Sequence, residues 1–338
     1  MGDLAGTARA LVEPGKGILA ADESTATIER RFSAIGVENN EQNRRAYREL
    51  LFRTKAAAEF ISGVILYDET IRQQAGDGTP LVRILEEQGV VPGIKVDIGA
   101  KPLAGAPGEV VTEGLDGLRE RLAEYRKLGA RFTKWRAVIT IGDGIPTDYC
   151  IAANAHALGR YAALSQEAGL VPIVEPEVLM DGSHSIDRAF DVAVRTLREV
   201  FLQLAAQRVR LEGMLLKSSM VLSGSKAADR AAPEDVARHT LRCFKDTVPA
   251  AVPGIVFLSG GQSDELATAH LNAMNKLSGL PWQLSFSYGR ALQAPALKAW
   301  KGEAANVDAG RDAFFHRAKL NSAARSGSYT PEMEKAAS

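Results

Sequence analysis

Short apolar runs alternate with longer amphipathic stretches along the whole chain. Eight runs are rich in aliphatic and β-branched residues: 17–22, 61–67, 92–97, Phe132–Ile139, 170–177, 212–221, 254–261 and 282–288. Their length and composition predict strands. Between them, helical periodicity recurs. Stretch 40–59 spaces Tyr47, Leu50, Leu51 and Phe52 on one face, with arginines on the other. Stretch 187–210 carries Phe190, Val194, Leu197, Phe201 and Leu204 at steps of three or four. Pro233-Glu-Asp reads as a helix first turn, with proline near N1 and acids against the dipole. Thr79-Pro80 opens a helix that stops at Gly89. Helices over 262–277 and Arg290–Trp300 follow the last two strands, and a further one runs from 305 to 325.

Strands alternating with helices argue for βαβ units and a parallel sheet. Eight units predict an α/β fold of the closed (β/α)8 TIM-barrel type, with a doubly wound open sheet as the alternative. The 338 residues suffice, since such barrels take about 250. No composition break divides the chain, so one catalytic domain is expected over 1–325, followed by a flexible tail at 326–338.

Charge excludes several functions. With 41 basic and 41 acidic side chains, there is no field for nucleic acid or a membrane surface. No apolar run approaches the roughly 18 residues of a membrane span. The first residues carry neither a secretory h-region nor a basic transit peptide. Cys150 and Cys243 are too few for a disulfide framework, so a reducing cytoplasm is the expected location. The five histidines are scattered, which gives no metal site. There is no Gly-x-Gly-x-x-Gly or Walker loop after a strand, which weakens nucleotide binding.

The candidate chemistry lies at the C-terminal ends of the strands, where barrels of this kind build their sites. Lys217 stands in an apolar run, Gly-Met-Leu-Leu-Lys-Ser-Ser-Met-Val. A lone lysine at a strand end ordinarily reaches solvent, but a lysine in apolar surroundings is driven towards its neutral, nucleophilic form and can condense with a carbonyl. The other strand ends carry comparable anomalies: Asp22; Lys95 and Asp97; Lys134 and Arg136; Glu175 and Glu177. Residues two apart share a face. So many charges converging on one mouth must pair or work. Glu175 and Glu177 are expected to share a titration suited to general acid–base work. Lys134 and Arg136 are expected to disfavour further positive charge nearby, and to bind phosphate. Ser259-Gly260-Gly261 and Ser287-Tyr288-Gly289-Arg290 read as two phosphate turns, each opening a helix whose positive end helps.

These residues, in order, resemble class I fructose-1,6-bisphosphate aldolase. The resemblance runs from Gly15 to about Pro331, through Gly17-Ile-Leu-Ala-Ala-Asp-Glu-Ser-Thr25, Gly93-Ile-Lys-Val-Asp97, Pro102-Leu-Ala-Gly105, Thr133-Lys-Trp-Arg136, Ile173-Val-Glu-Pro-Glu177, Leu215-Leu-Lys217, Phe257-Leu-Ser-Gly-Gly-Gln262 and Ser285-Phe-Ser-Tyr-Gly-Arg-Ala-Leu-Gln293. It implies reversible cleavage of fructose 1,6-bisphosphate through a Schiff base on Lys217, without metal or cofactor. Glu175 would be the main acid–base group, Glu177 and Lys134 would tune it, and Asp22 would position the C4 hydroxyl. Ser259, Gly260, Gly261, Ser287, Gly289 and Arg290 would bind one phosphate. Arg31 would bind substrate and move with it. Ser24, Thr27 and Lys95 would face the other phosphate, and Arg136 would line the substrate site. The partners implied are a phosphorylated sugar and further copies of the chain in a homotetramer.

Two departures from the family pattern stand out. Ser218-Ser219 follows the lysine where the family often has Pro-Asn. Animal members end in a tyrosine on a mobile tail, whereas the Tyr-Thr-Pro stretch here falls at Tyr329; a weaker preference for the bisphosphate over fructose 1-phosphate is therefore expected. A transaldolase or deoxyribose-phosphate aldolase shares the lysine logic but does not account for both phosphate turns. A scaffold role is disfavoured by an intact Lys217, Glu175 and Asp22.

Overall fold

The structure is a computed structural model describing residues 3–335. Ten strands form within it: β1 Gly17–Ala21, β2 Ile61–Leu66, β3 Val91–Lys95, β4 Gly99–Pro102, β5 Val110–Glu113, β6 Phe132–Ile139, β7 Val171–Val178, β8 Leu215–Ser218, β9 Gly254–Phe257 and β10 Gln283–Tyr288. Eight close into a parallel barrel in the order β1-β10-β9-β8-β7-β6-β3-β2. Consecutive barrel strands are therefore neighbours, and helical crossovers cover the outside, as the alternation predicts.

β4 and β5 form an antiparallel hairpin that the sequence pattern did not announce. Both strands are four residues long, and β4 carries a glycine and a proline, residues depleted from strands. The hairpin is fixed from the barrel side: Thr112 donates its hydroxyl to the Arg136 carbonyl at 2.8 Å.

The barrel interior has two tiers. Alternation sends every second strand residue inward. At the N-terminal ends, Ile18, Ile65, Phe132, Ile173, Leu215 and Val256 pack with Leu4, Ala8 and Leu11 of the helix Leu4–Leu11, which closes the floor. Two residues further along β6, β7 and β8, the same inward phase carries Lys134, Glu175 and Lys217. The opposite phase, including Trp135, Val174, Leu216 and Ile255, packs outward in the larger core against the helices. Gly93 lets the floor fill: a Cβ there would lie 2.3 Å from the Phe132 ring.

Stretch 40–59 is two helices, Glu41–Phe52 and Lys55–Phe60. The break falls at Thr54, whose backbone is extended (φ −74°, ψ 138°) and whose hydroxyl donates to the Leu50 carbonyl at 2.8 Å. A short helix, Thr25–Ser33, follows β1; it buries Ile28 and Phe32 alone, too sparse a stripe to read from sequence. After Arg325, where a flexible tail is expected, the chain as far as Lys335 returns onto the outer helices. Tyr329 is buried, its N–H donates to Asn272 Oδ1 at 3.0 Å and its hydroxyl to Glu334 Oε1 at 2.8 Å. Glu334 in turn pairs with Arg317 at 2.6 Å. The last three positions of the expected tail, 336–338, lie outside the described residues. Among the described residues, no helix is long and apolar enough to cross a membrane.

Candidate active site

The upper, charged tier opens into a cavity of about 1100 Å³ at the C-terminal ends of the strands. The sixteen residues to which the resemblance gives a role all line it: Asp22, Ser24, Thr27, Arg31, Lys95, Lys134, Arg136, Glu175, Glu177, Lys217, Ser259, Gly260, Gly261, Ser287, Gly289 and Arg290; so does Asp97.

At its base is an alternating chain of charge. Lys217 Nζ lies 3.2 Å from Glu175 Oε1, and Lys134 Nζ lies 3.4 Å from Glu175 Oε2 and 2.6 Å from Asp22 Oδ2. All four side chains are buried or nearly so. Two cations and two anions in alternation make that burial tolerable. Burial alone raises the Asp22 pKa, but the ammonium groups of Lys134, Lys217 and Lys95 outweigh it and hold the carboxyl well below the usual carboxylate range. Burial likewise pulls Lys134 down, and the carboxylates of Asp22, Glu175 and Asp97 overcome it, holding the ammonium well above its ordinary value. Lys134 is therefore a fixed cation, and the buried Lys217 side chain shares the Glu175 carboxylate with it.

Glu175 and Glu177 do not stand as a bare carboxylate pair. β6 and β7 run in register with Arg136 opposite Glu175 and Val138 opposite Glu177. The Arg136 guanidinium reaches one step forward and pairs with Glu177. Each carboxylate thus has its own cation, because the inward phases of both strands carry opposite charges side by side. Asp97 similarly holds Lys95 at 2.6 Å and accepts from the Arg136 N–H at 3.1 Å.

The two glycine turns meet across the mouth. Gly260 (φ +47°) and Gly261 (φ +86°) take left-handed backbone after β9, which glycine permits at no steric cost. Ser287 is buried with its hydroxyl unpartnered, and it lines the cavity. Arg290 Nη2 donates to the Gln262 carbonyl at 2.8 Å, joining one turn to the other. The expected help from the helix after the first turn is not available in full. That helix starts at Asp264, is capped by the Ser263 hydroxyl, and has Asp264 and Glu265 in its own first turn. The helix Arg290–Trp300 has no side-chain cap, so its leading N–H groups are the freer of the two sets.

One buried group at the mouth was not singled out. Glu23, next to Asp22, accepts from Arg31, from Arg48 Nη2 at 2.5 Å and from Gln293 Nε2 at 2.8 Å. Its acidity next to a candidate residue was the available signal. Its partners lie 8, 25 and 270 residues away, beyond the reach of local pattern. Among the described residues, no group of His, Cys, Asp and Glu is placed to hold a metal ion.

The chain is similar to known proteins over nearly its whole length. The family model for class-I fructose-bisphosphate aldolase matches residues 3–338. A probable fructose-bisphosphate aldolase class 1 of Xanthomonas campestris is 59% identical over 327 residues, covering 96% of this chain and 98% of its own length. A cytosolic fructose-bisphosphate aldolase of Arabidopsis thaliana is 55% identical over 317 residues, covering 94% and 81%. The solved fructose-bisphosphate aldolase of Plasmodium falciparum superposes with a TM-score of 0.96 at 50% identity, covering 97% of this chain and 95% of that one. With the barrel, the site and these likenesses in agreement, the chain belongs to the class-I fructose-bisphosphate aldolase family.

Proposed function

We propose that this enzyme, a lyase, cleaves fructose 1,6-bisphosphate reversibly to dihydroxyacetone phosphate and glyceraldehyde 3-phosphate, as in glycolysis and gluconeogenesis, through an imine on Lys217. The observation that carries the reading is the buried Lys217 amine 3.2 Å from Glu175.

In the proposed sequence, the Lys217 amine adds to the C2 carbonyl of the open-chain sugar. Glu175 supplies the proton with which the C2 oxygen leaves as water, and an iminium remains. The iminium withdraws the electron pair of the C3–C4 bond, giving an enamine on C2–C3. The C4 hydroxyl proton passes to Glu175, and the aldehyde is released. Asp22, kept ionised by Lys134, accepts the C4 hydroxyl as a hydrogen-bond donor and orients it. Protonation at C3 and addition of water to the iminium then return free Lys217. The iminium is the electron sink, so the reading assigns no metal or other cofactor.

The phosphates call for cationic or N–H-rich ends. Ser259, Gly260, Gly261, Ser287, Gly289 and Arg290 supply one, with Arg31 beside Gly289, its Nη2 3.6 Å from where a Cβ on that residue would stand. Ser24, Thr27 and Lys95 supply the other, and Arg136 with Glu177 lines the wall between. A single barrel domain, assembled as a homotetramer in the cytoplasm, completes the proposal; the family resemblance supports the assembly, and the cytosolic Arabidopsis relative supports the location.

The test is borohydride trapping. The protein is incubated with dihydroxyacetone phosphate and EDTA, reduced, and mapped by peptide mass spectrometry. An adduct on Lys217 is the expected result. Loss of activity in EDTA with no lysine modified overturns the mechanism, and an adduct on Lys134 or Lys95 instead overturns the assignment of the nucleophile.

A further inference from the structure

Beneath the first phosphate turn lie two side chains that are each 2% exposed, Gln262 and His270. Gln262 closes the turn on itself. Its N–H and its side-chain Nε2 both donate to the Ser259 carbonyl, at 3.1 and 2.9 Å. Its own carbonyl receives the Arg290 guanidinium at 2.8 Å. Because a carbonyl only accepts, Nε2 must face Ser259, and Oε1 is left to face the imidazole of His270 at 2.6 Å. Oε1 also only accepts, so His270 carries a proton on Nδ1 and donates it. The other ring nitrogen, Nε2, is buried without a partner. Burial and the nearby Arg230 push the His270 pKa down to about 4, which keeps the ring neutral.

This arrangement meets a need of the turn. Gly260 and Gly261 have left-handed backbone and no side chains with which to hold it. Glycine loses the most conformational freedom on ordering, and a binding loop that must be ordered by its ligand binds that ligand more weakly. A clamp from below supplies the order beforehand. We propose that His270 is a positioning residue which, acting through Gln262, fixes turn 259–261 and Arg290 in the geometry that binds a phosphate monoester. The inference rests on the reading of this turn as a phosphate site.

Calorimetric titration with inorganic phosphate tests it, at a temperature well below each variant's Tm, together with kcat and KM for fructose 1,6-bisphosphate. His270→Leu removes the donor and strands Gln262 Oε1. It is expected to weaken phosphate binding and raise KM by about ten-fold, with kcat changed by less than about two-fold. His270→Asn, which keeps an N–H donor, is expected to recover most of the loss. Adding Gln262→Met to His270→Leu is expected to cost little more, since both act through one contact. Where His270→Leu fails to fold, Gln262→Met alone takes its place with the same expected loss. Arg290→Ala serves as the reference. Wild-type phosphate affinity in His270→Leu or its replacement, with affinity lost in Arg290→Ala, overturns the role of His270 and leaves the site intact. Wild-type affinity in Arg290→Ala overturns the phosphate reading of the turn and this inference with it.

Discussion

Lys134 and Lys217 reach the same carboxylate from opposite sides: Glu175 presents Oε2 to one at 3.4 Å and Oε1 to the other at 3.2 Å. Two ammonium groups on one carboxylate would leave a buried excess of charge were Asp22 not 2.6 Å from Lys134. The arrangement divides labour between the lysines. Lys134 is held in place and in charge by three carboxylates. Lys217 contacts Glu175 alone among these carboxylates, which leaves it the less tightly held of the two lysines.

Lys217→Arg keeps the charge and removes the nucleophile. The variant is expected to fold and to lose at least about four orders of magnitude in kcat. Circular dichroism with a steady-state assay checks both parts. A loss of only about ten-fold contradicts covalent catalysis at this position.

Asp22 ties acid stability to the site. Its pKa in the folded protein lies below its ordinary value of 3.8, so the unfolded chain takes up its proton first as pH falls. Its stabilising contribution is present in full above the ordinary value and is lost as pH drops from there towards the folded pKa. The difference in unfolding free energy between wild type and Asp22→Asn should therefore be constant above about pH 5 and shrink below about pH 4. Denaturant titrations at a series of pH values measure it, and a difference that grows towards acid contradicts the ion pair.

Glu23→Gln leaves the buried Arg48 guanidinium without its counter-charge. Burial raises the Glu23 pKa, and Arg48 and Arg31 more than offset that, so the residue is a carboxylate in the native state. The substitution should destabilise the fold by about 3–5 kcal/mol, read from the urea midpoint, and raise KM because Arg31 loses its anchor.

Gly260→Ala forces a Cβ to within 2.5 Å of Leu258 Cδ1 on left-handed backbone. Strain of about 1–2 kcal/mol should fall mainly on the turn. KM for the bisphosphate is expected to rise several-fold, while borohydride trapping on Lys217 at saturating substrate is retained. An unchanged KM places the phosphate elsewhere.

Leu11→Ala opens a hole in the floor. Leu11 is fully buried, and such truncations cost about 2–5 kcal/mol. The thermal midpoint should fall while kcat/KM at 25 °C is held, because the floor lies below the reacting tier.

The barrel was legible because its strands announce themselves: buried on both faces, they read as unbroken apolar runs set off by helical periodicity. That the charged residues gather at one mouth was legible for a related reason. A single lysine or glutamate at the end of such a run ordinarily reaches solvent, but Lys134, Glu175 and Lys217 recur at neighbouring strand ends, and that recurrence points to one mouth. The β4–β5 hairpin left no mark, since four-residue strands with glycine and proline show no alternation. The split after Phe52 depends on the Thr54 hydroxyl turning back to Leu50, a choice that periodicity does not record. Which charge meets which also escaped. Glu177 meets Arg136 because the guanidinium reaches past its register partner Glu175, and Glu23 finds Gln293 from the other end of the chain.

The helix Leu4–Leu11 has a consequence for how the protein is made. It leaves the ribosome well before Ile173, Leu215 and Val256, which complete the floor it seals. At 5–20 residues per second, Val256 is added roughly ten to fifty seconds later. Throughout that interval the apolar face of Leu4, Ala8 and Leu11 has only the early part of its native cover, from Ile18, Ile65 and Phe132. This segment is thus synthesised well before the residues that complete its burial, and its apolar face is fully covered only once the later strands are in place.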